Sequence, residues 1–165
     1  MTRAQLAMLL TLGLSGCAEI SPQLTTPPPP PPPPEFGSIT GEGAFRTPAG
    51  GHGSCAGSSV ALVADTPQSQ ARMWALYGSV EHAVEPVAVA KARAIKLGPP
   101  PSGLENTSTQ CDAGAHFGFS DLQAGGYFVI ARVHVRPAEN GQEDMVILQH
   151  VTLRTGEARE LRLVE

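Results

Sequence analysis

This 165-residue sequence has few aromatic residues, little charge and no long apolar run. Aromatic residues make up 5% of the chain and charged residues 16%, and the formal net charge is −4 at pH 7. Lysine and arginine form no basic cluster, which excludes nucleic acid as a partner because that binding needs a positive surface. The apolar stretch at residues 6–14 is far shorter than the roughly 20 residues of a membrane-spanning helix. Any membrane association must therefore come from another source.

The N-terminus has the features of a bacterial secretion signal. Arg3 provides a positive charge, residues 6–14 provide an apolar segment, and residues 14–17 (Leu-Ser-Gly-Cys) provide a small-residue cleavage site. Residues 14–17 resemble the lipobox of bacterial lipoproteins. The resemblance implies that residues 1–16 are a signal peptide and that Cys17 is lipidated. The alternative is an ordinary signal peptide with a cysteine nearby by chance.

The lipobox also predicts where the protein lies. Ala18 follows the cysteine at the position where lipoproteins retained in the inner membrane usually have Asp. We therefore expect a location in the cell envelope, lipid-anchored to the outer membrane and facing the periplasm. Residues 17–35 form a linker after the acylated cysteine, and residues 27–34 are consecutive prolines. Such a tract adopts polyproline II and predicts a stiff spacer, the alternative being a proline-rich ligand for an aromatic groove.

Three cysteines are an odd number for an exported protein. If Cys17 carries lipid, Cys55 and Cys111 remain, and an oxidising periplasm favours a disulfide between them. A reactive free thiol and a metal site are the alternatives. The metal site is the weaker of these because neither cysteine belongs to a CxxC or CxxH motif.

Residues 36–165 are predicted to form one domain that begins with short strands. Residues 37–45 and 59–64 have the composition of strands, with glycines that mark turns or bulges. Residues 66–78 indicate a short amphipathic helix, with Thr66 as N-cap, Pro67 in the first turn and Gly78 after the last. Residues 79–109 are expected to be an irregular excursion with at most one short element, either a helix or an alternating strand at residues 87–97.

The C-terminal part alternates with the period of a β-strand. Four strands are predicted, separated by turns rich in glycine, at residues 116–122, 127–136, 145–154 and 158–164. In the second of them Val129, Ala131, Val133 and Val135 share one face, and polar residues occupy the other. The pattern predicts an all-β fold, an antiparallel β-sandwich with one short inserted helix.

Residues 109–131 resemble the carboxypeptidase regulatory-like domains, which are small transthyretin-like β-sandwiches. The resemblance rests on a pattern of turn, core and corner residues, here Asp112, Phe117, Phe119, Leu122, Gly126 and Tyr127. The sequence departs from the pattern at Ala115, which stands where the family has glycine, and this leaves the turn type open. The resemblance implies a transthyretin-like fold and no peptidase activity, because such domains are accessory modules attached to many kinds of protein.

Two short motifs could carry catalysis. His82 and Glu85 have the H-x-x-E spacing of two zinc ligands in metallocarboxypeptidases, but the chain is too short for that catalytic domain. His52 lies near Cys55 and could activate its thiol as a nucleophile. The predicted disulfide would remove that thiol, so we expect no catalytic residue here.

A third group of polar residues lies on one predicted strand. Arg132, His134 and Arg136 form a cationic stripe, and His150 lies on the next strand along the chain. If the two strands pair, His134 and His150 could meet across the sheet as a metal or anion site. The alternative is an ordinary solvated face of the sheet. We expect no metal and no cofactor.

The sequence therefore predicts a non-enzymatic, lipid-anchored envelope protein whose sandwich is a binding or structural module. Its expected partners are the membrane, through the N-terminal lipid, and an envelope protein or glycan. One alternative is an accessory subunit that docks on an envelope complex through the excursion, a sheet edge or the helix that contains Trp74. The other is an envelope hydrolase acting on peptides or glycans.

Overall fold

The computed structural model describes residues 35–46, 50–102, 104, 106–139 and 142–163. It confirms the predicted all-β sandwich and shows two short helices in place of one. The signal peptide, Cys17 and the proline tract lie outside the described residues. Among the residues described, no helix is long and apolar enough to cross a membrane.

Ten strands and two helices make up the described part of the chain. In chain order they are β1 (Gly37–Glu42), β2 (Ala44–Arg46), β3 (His52–Ser54), β4 (Ser59–Ala64), α1 (Pro67–Tyr77), β5 (His82–Pro86), α2 (Val87–Leu97), β6 (Asn106–Gln110), β7 (His116–Leu122), β8 (Gly125–Glu139), β9 (Gln142–Leu153) and β10 (Ala158–Arg162).

The strands form a small sheet and a large sheet. The small sheet has the order β10-β1-β7, in which β1 pairs with β7 antiparallel and with β10 parallel. The large sheet is antiparallel and is built around β8, the longest strand. One edge of β8 pairs with β3 and β4, which lie end to end, and the other edge pairs with β9. Strands β2, β6 and β5 extend the large sheet outward from β3, β4 and β9.

The main core lies between the two sheets. Val129, Ala131 and Val133 of β8 are fully buried on the inner face of the large sheet, as their alternation predicts. From the small sheet, Phe117 and Phe119 are buried with their rings edge to face at 6.2 Å between centroids. The predicted inward direction of both phenylalanines is confirmed.

The outer face of the large sheet is partly covered by the helices. Met73 of α1 packs in a second cluster with Phe128 and Leu148, which stand on the outer face of β8 and β9. Val63 and Ala83 complete this cluster from β4 and β5. Large apolar side chains on both faces of the central strands explain why the sheet is covered on both sides.

The limits of α1 follow from local hydrogen bonds, as predicted. The Thr66 side chain accepts a hydrogen bond from the backbone N–H of Ser69, and the Ser69 hydroxyl accepts one from the N–H of Thr66. Pro67 occupies the first turn, where its missing N–H costs nothing. Gly78 ends the helix with φ of 70°, a conformation that glycine adopts without strain.

The excursion at residues 79–109 contains more regular structure than the sequence predicts. Three elements lie there, β5, α2 and β6, instead of one at most. Residues 87–97 are helical because alanine and lysine favour that conformation and because Arg93 ties the helix to the rest of the domain. The Arg93 guanidinium donates to the Leu76 carbonyl at 2.7 Å and to Glu85 at 3.1 Å. Tertiary contacts of this kind are not visible in local periodicity.

The predicted first strand is divided at Gly43, where the chain passes from the small sheet to the large one. β1 belongs to the small sheet and β2 to the large sheet. A Cβ atom at Gly43 would lie 2.6 Å from the sulfur of Cys55, so only glycine fits at this crossing. The N–H of Gly43 donates to Ala115 at 2.9 Å, and its carbonyl accepts from Cys55 at 3.0 Å.

Cys55 and Cys111 form a disulfide, which confirms the predicted pair. Their Cα atoms lie 5.8 Å apart, and both residues are buried in the main core. The alternatives of a free thiol and a metal site are therefore wrong for these two cysteines. The bridge joins the loop between β3 and β4 to the end of β6, so it closes the segment that contains both helices.

Ala115, which stands where the carboxypeptidase regulatory-like pattern has glycine, adopts a backbone conformation typical of glycine. Ala115 is buried and has φ of 62°, the left-handed conformation that glycine adopts most readily. Its N–H donates to the carbonyl of Asp112 at 3.0 Å and closes the turn before β7. The turn thus has a conformation suited to glycine, and alanine adopts it at some cost.

Replacing both bridging cysteines with serine should destabilise the domain without abolishing its fold. The bridge closes a loop of 56 residues, which corresponds to about 4 kcal/mol in the chain-entropy model. Thermal unfolding of Cys55→Ser/Cys111→Ser should show a lower Tm, with a native β-sheet circular dichroism spectrum at low temperature. Wild-type protein treated with a reductant is the control and should unfold with the variant. Equal Tm values for the oxidised wild type and the variant would contradict this prediction.

Candidate functional site

A polar region occupies the outer face of the large sheet beyond the part that the helices cover. We call it the shelf and define it by seven side chains that point to this face of β2, β3, β8 and β9. They are Arg46, His52, Ser54, Arg132, His134, Arg136 and Asp144. The alternation that buries Val133 and Val135 turns their neighbours on β8 outward to the shelf.

His134 is held in the shelf by a hydrogen bond at each ring nitrogen. Its Nδ1 lies 2.5 Å from the Asp144 carboxylate, and its Nε2 lies 3.0 Å from the Ser58 hydroxyl. Asp144 stands directly opposite His134 on β9, and Ser58 reaches the ring from the loop before β4. The ring is therefore fixed in orientation while part of it stays exposed.

Asp144 is the negative centre of the shelf. Its second carboxylate oxygen accepts a hydrogen bond from the Arg132 guanidinium. The hydrogen bond from Arg132, followed by that from His134, holds the pKa of Asp144 below its ordinary value. Asp144 is therefore ionised at neutral pH, and its charge is shared between Arg132 and His134.

A shallow depression lies on the shelf. It has a volume of ≈ 340 Å³, within the usual range for sites that bind small molecules. Its lining consists of His52, Ser54, Ala56, His134 and Arg136. It therefore presents hydroxyl, imidazole and guanidinium groups beside a small apolar surface.

A second depression of ≈ 360 Å³ lies near β9 and β10. Its lining includes Arg154, Glu157 and Arg159, and Glu157 lies 3.5 Å from Arg159. The Oε1 atom of Gln149 is buried there without a hydrogen-bond partner among the described residues. Because a carboxylate already lies beside its cations, this depression is less suited than the shelf to a charged ligand.

The predicted meeting of His134 and His150 is wrong. The register places His150 opposite Phe128, six residues before His134 on β8, which separates the two positions by about 20 Å. His150 instead lies 2.9 Å from the Asp65 carboxylate. Within the described residues, no group of three or more His, Cys, Asp or Glu side chains could hold a metal ion.

The other two sequence candidates are also not brought together as catalytic sites. His82 and Glu85 are three residues apart on β5, so their side chains point to opposite faces. Glu85 binds Arg93 instead. The sulfur of Cys55 is in the disulfide, so it cannot act as a nucleophile with His52.

Sequence reasoning missed Ser58, which completes a chain of hydrogen bonds through His134 to Asp144. The chain has the connectivity of a Ser-His-Asp triad. Ser58 is only 6% exposed and is not among the residues that line the depression. The arrangement therefore orients the imidazole rather than presenting a hydroxyl to a ligand. No local motif signals it, because the three residues lie far apart in sequence.

Comparison with known proteins gives one informative similarity. A scan against protein-family models and a search of curated protein sequences found no match. The chain is similar to the crystal structure of a proposed carbohydrate-binding protein from Pseudomonas aeruginosa, with a TM-score of 0.54 and 16% identity. The match covers 81% of this chain and 91% of that one. At this identity the similarity shows a shared fold.

Replacing Asp144 with Asn should destabilise the domain at neutral pH but not in acid. The lowered pKa means that the carboxylate stabilises the fold above the unfolded-state value of about 3.9. This stabilisation is lost as the pH falls through the folded-state pKa. The Tm difference between wild type and Asp144→Asn should therefore be present at pH 7 and shrink below about pH 4.

Asp121→Asn is the matched control for this pH series. Asp121 is exposed on β7 of the small sheet, and its φ of 57° is one that asparagine also tolerates. Its substitution should change the Tm little at either pH. A Tm deficit of Asp144→Asn that persists unchanged in acid would show that the carboxylate charge is not the cause.

Proposed function

We propose that this protein is a non-enzymatic, lipid-anchored protein of the cell envelope and that its sandwich binds a glycan at the shelf. The observation that carries the proposal is the depression lined by His52, Ser54, His134 and Arg136 on an exposed sheet face. The structural similarity to a proposed carbohydrate-binding protein supports the same choice.

The chemistry of the shelf suits a sugar. Glycan hydroxyl groups both donate and accept hydrogen bonds, and the shelf presents donors on Arg136 and both kinds of group on Ser54. His134 is already fixed by Ser58 and Asp144, so binding would cost little side-chain entropy there. The proposal involves no catalysis because the one triad-like hydroxyl is buried beneath the imidazole.

The proposed envelope location rests on the sequence of the N-terminus. Residues 14–17 resemble a lipobox, and residues 27–34 are a stiff proline spacer. The disulfide between Cys55 and Cys111 is consistent with an exported protein, since disulfides persist in oxidising compartments. A carboxypeptidase regulatory-like relationship remains our proposal for the family of the domain.

A second candidate function is that of an accessory subunit of an envelope complex. The observation that favours it is the exposure of large apolar side chains on the two helices. Trp74 is 63% exposed and Ile95 is 73% exposed. In this alternative the helices would contact a protein partner, and substitutions on the shelf would leave that contact intact.

The glycan proposal predicts that shelf substitutions remove binding while the fold is kept. The mature protein, purified in detergent, would be applied to an array of bacterial envelope glycans. Ser54→Ala and His134→Ala should each reduce the signal at least about fivefold, because each removes a hydrogen-bonding group from the depression.

His116→Ala is the matched control, since this exposed histidine lies on β7 of the small sheet. It should bind as the wild type does. Absence of any glycan signal from the wild type would contradict the proposal. A protein crosslinked in cells only when Trp74 is present would then favour the accessory function.

The anchor proposal predicts that Cys17→Ser changes both mass and location. Wild-type protein from membranes should carry acyl groups on residue 17 as its new N-terminus, measured by mass spectrometry of the intact protein. The variant has no thiol to accept the lipid and should leave the membrane fraction. An unacylated wild type, or one that retains residues 1–16, would contradict the proposal.

A further inference from the structure

Three basic residues stand in one row across three neighbouring strands of the large sheet. Arg46 of β2 is directly opposite His52 of β3, and His52 is directly opposite Arg136 of β8. Residues in such positions share a face, with Cβ atoms about 4.5–5.5 Å apart between neighbours. The row therefore concentrates positive charge along one line of the shelf.

This row has no evident role in stability. Like charges directly opposite each other destabilise a sheet. Among the described side chains, no carboxylate forms an ion pair with Arg46, His52 or Arg136. The nearest acid of the shelf, Asp144, is already bound to Arg132 and His134. The row is also basic in a protein whose formal net charge is −4.

The depression lies against this row. His52 and Arg136 line it together with Ser54 and His134, and its lining contains no carboxylate. A guanidinium binds a carboxylate or phosphate group through two parallel hydrogen bonds. A ligand anion on the row would therefore supply the opposite charge that the described part of the chain does not place there.

We infer that the glycan bound by the shelf is acidic and that its carboxylate or phosphate group lies on Arg46, His52 and Arg136. This inference rests on the proposed function and adds the class of sugar. The anion binds Arg136 and Arg46, His52 contributes a further donor, and Ser54 and the oriented His134 bind the hydroxyl groups of the sugar ring. Neutral sugars lack the anion and bind more weakly.

The test compares two probes that differ in charge alone. Oligogalacturonate and its fully methyl-esterified form have the same rings, and only the first carries carboxylates. Calorimetric titration of the mature protein in detergent should give at least tenfold tighter binding of the free acid, since hydrogen bonds to charged groups are the stronger ones. A phosphorylated mannan oligosaccharide, titrated beside its dephosphorylated form, shows whether phosphate serves as well as carboxylate.

Arg136→Gln and Arg46→Gln should each weaken binding of the acid about tenfold and leave binding of the ester nearly unchanged. Arg162→Gln is the matched control, because Arg162 is exposed on β10 of the small sheet. It should leave both affinities unchanged. Thermal unfolding of each variant shows that the fold is retained.

The possible results separate this inference from the proposed function. Equal affinity for the acid and the ester would overturn the inference and leave glycan binding in place. Failure of every glycan, charged or neutral, would overturn both. Vesicles of phosphatidylglycerol that bind the protein as tightly as the oligosaccharides do, and depend on Arg136, would assign the row to a lipid surface and overturn the inference.

Discussion

The alternation of side chains along β8 is the constraint on which the rest of the structure depends. Its inward residues, such as Val129 and Val133, form the centre of the core against the small sheet. Its outward residues change character along the strand, from Phe128 beneath the helices to His134 and Arg136 on the shelf. A shift of one residue in its pairing would exchange these faces, placing charge in the core and valine in water. The same register thus secures both the fold and the binding surface.

The shelf is assembled from segments that are remote in sequence, and the paths of the chain explain how. The crossing at Gly43 carries the chain from the small sheet to the large one, where Arg46 comes to stand beside β3. β3 and β4 then lie end to end along one edge of β8, while β9 occupies the other edge and brings Asp144 to His134. Three separate connections therefore supply one surface. Charge enters it from both sides of β8, positive from β3 and negative from β9.

Local periodicity predicted the strands that have a buried and an exposed face. It also predicted the capped helix at Pro67–Tyr77 and the polar face that holds His134. It failed for the segment of β5, α2 and β6, because residues 87–97 fit two periods and their helix is fixed by distant contacts of Arg93. It also mistook the partner of His134. Strands β8 and β9 extend to Glu139 and from Gln142, beyond the predicted turn, and this length sets the register that brings Asp144 into place.

The position of the Cys55–Cys111 bridge has a consequence for when the shelf is completed. Cys55 occupies the short connection between β3 and β4, so the bridge fastens the point from which β3, with His52 and Ser54, extends along β8. Disulfides are rare in reducing compartments and persist in oxidising ones. Oxidation is then a maturation step for the surface as well as for the core. A newly made chain in a reducing cytosol has its histidines and arginines but holds them less firmly than the same chain after transfer to an oxidising space.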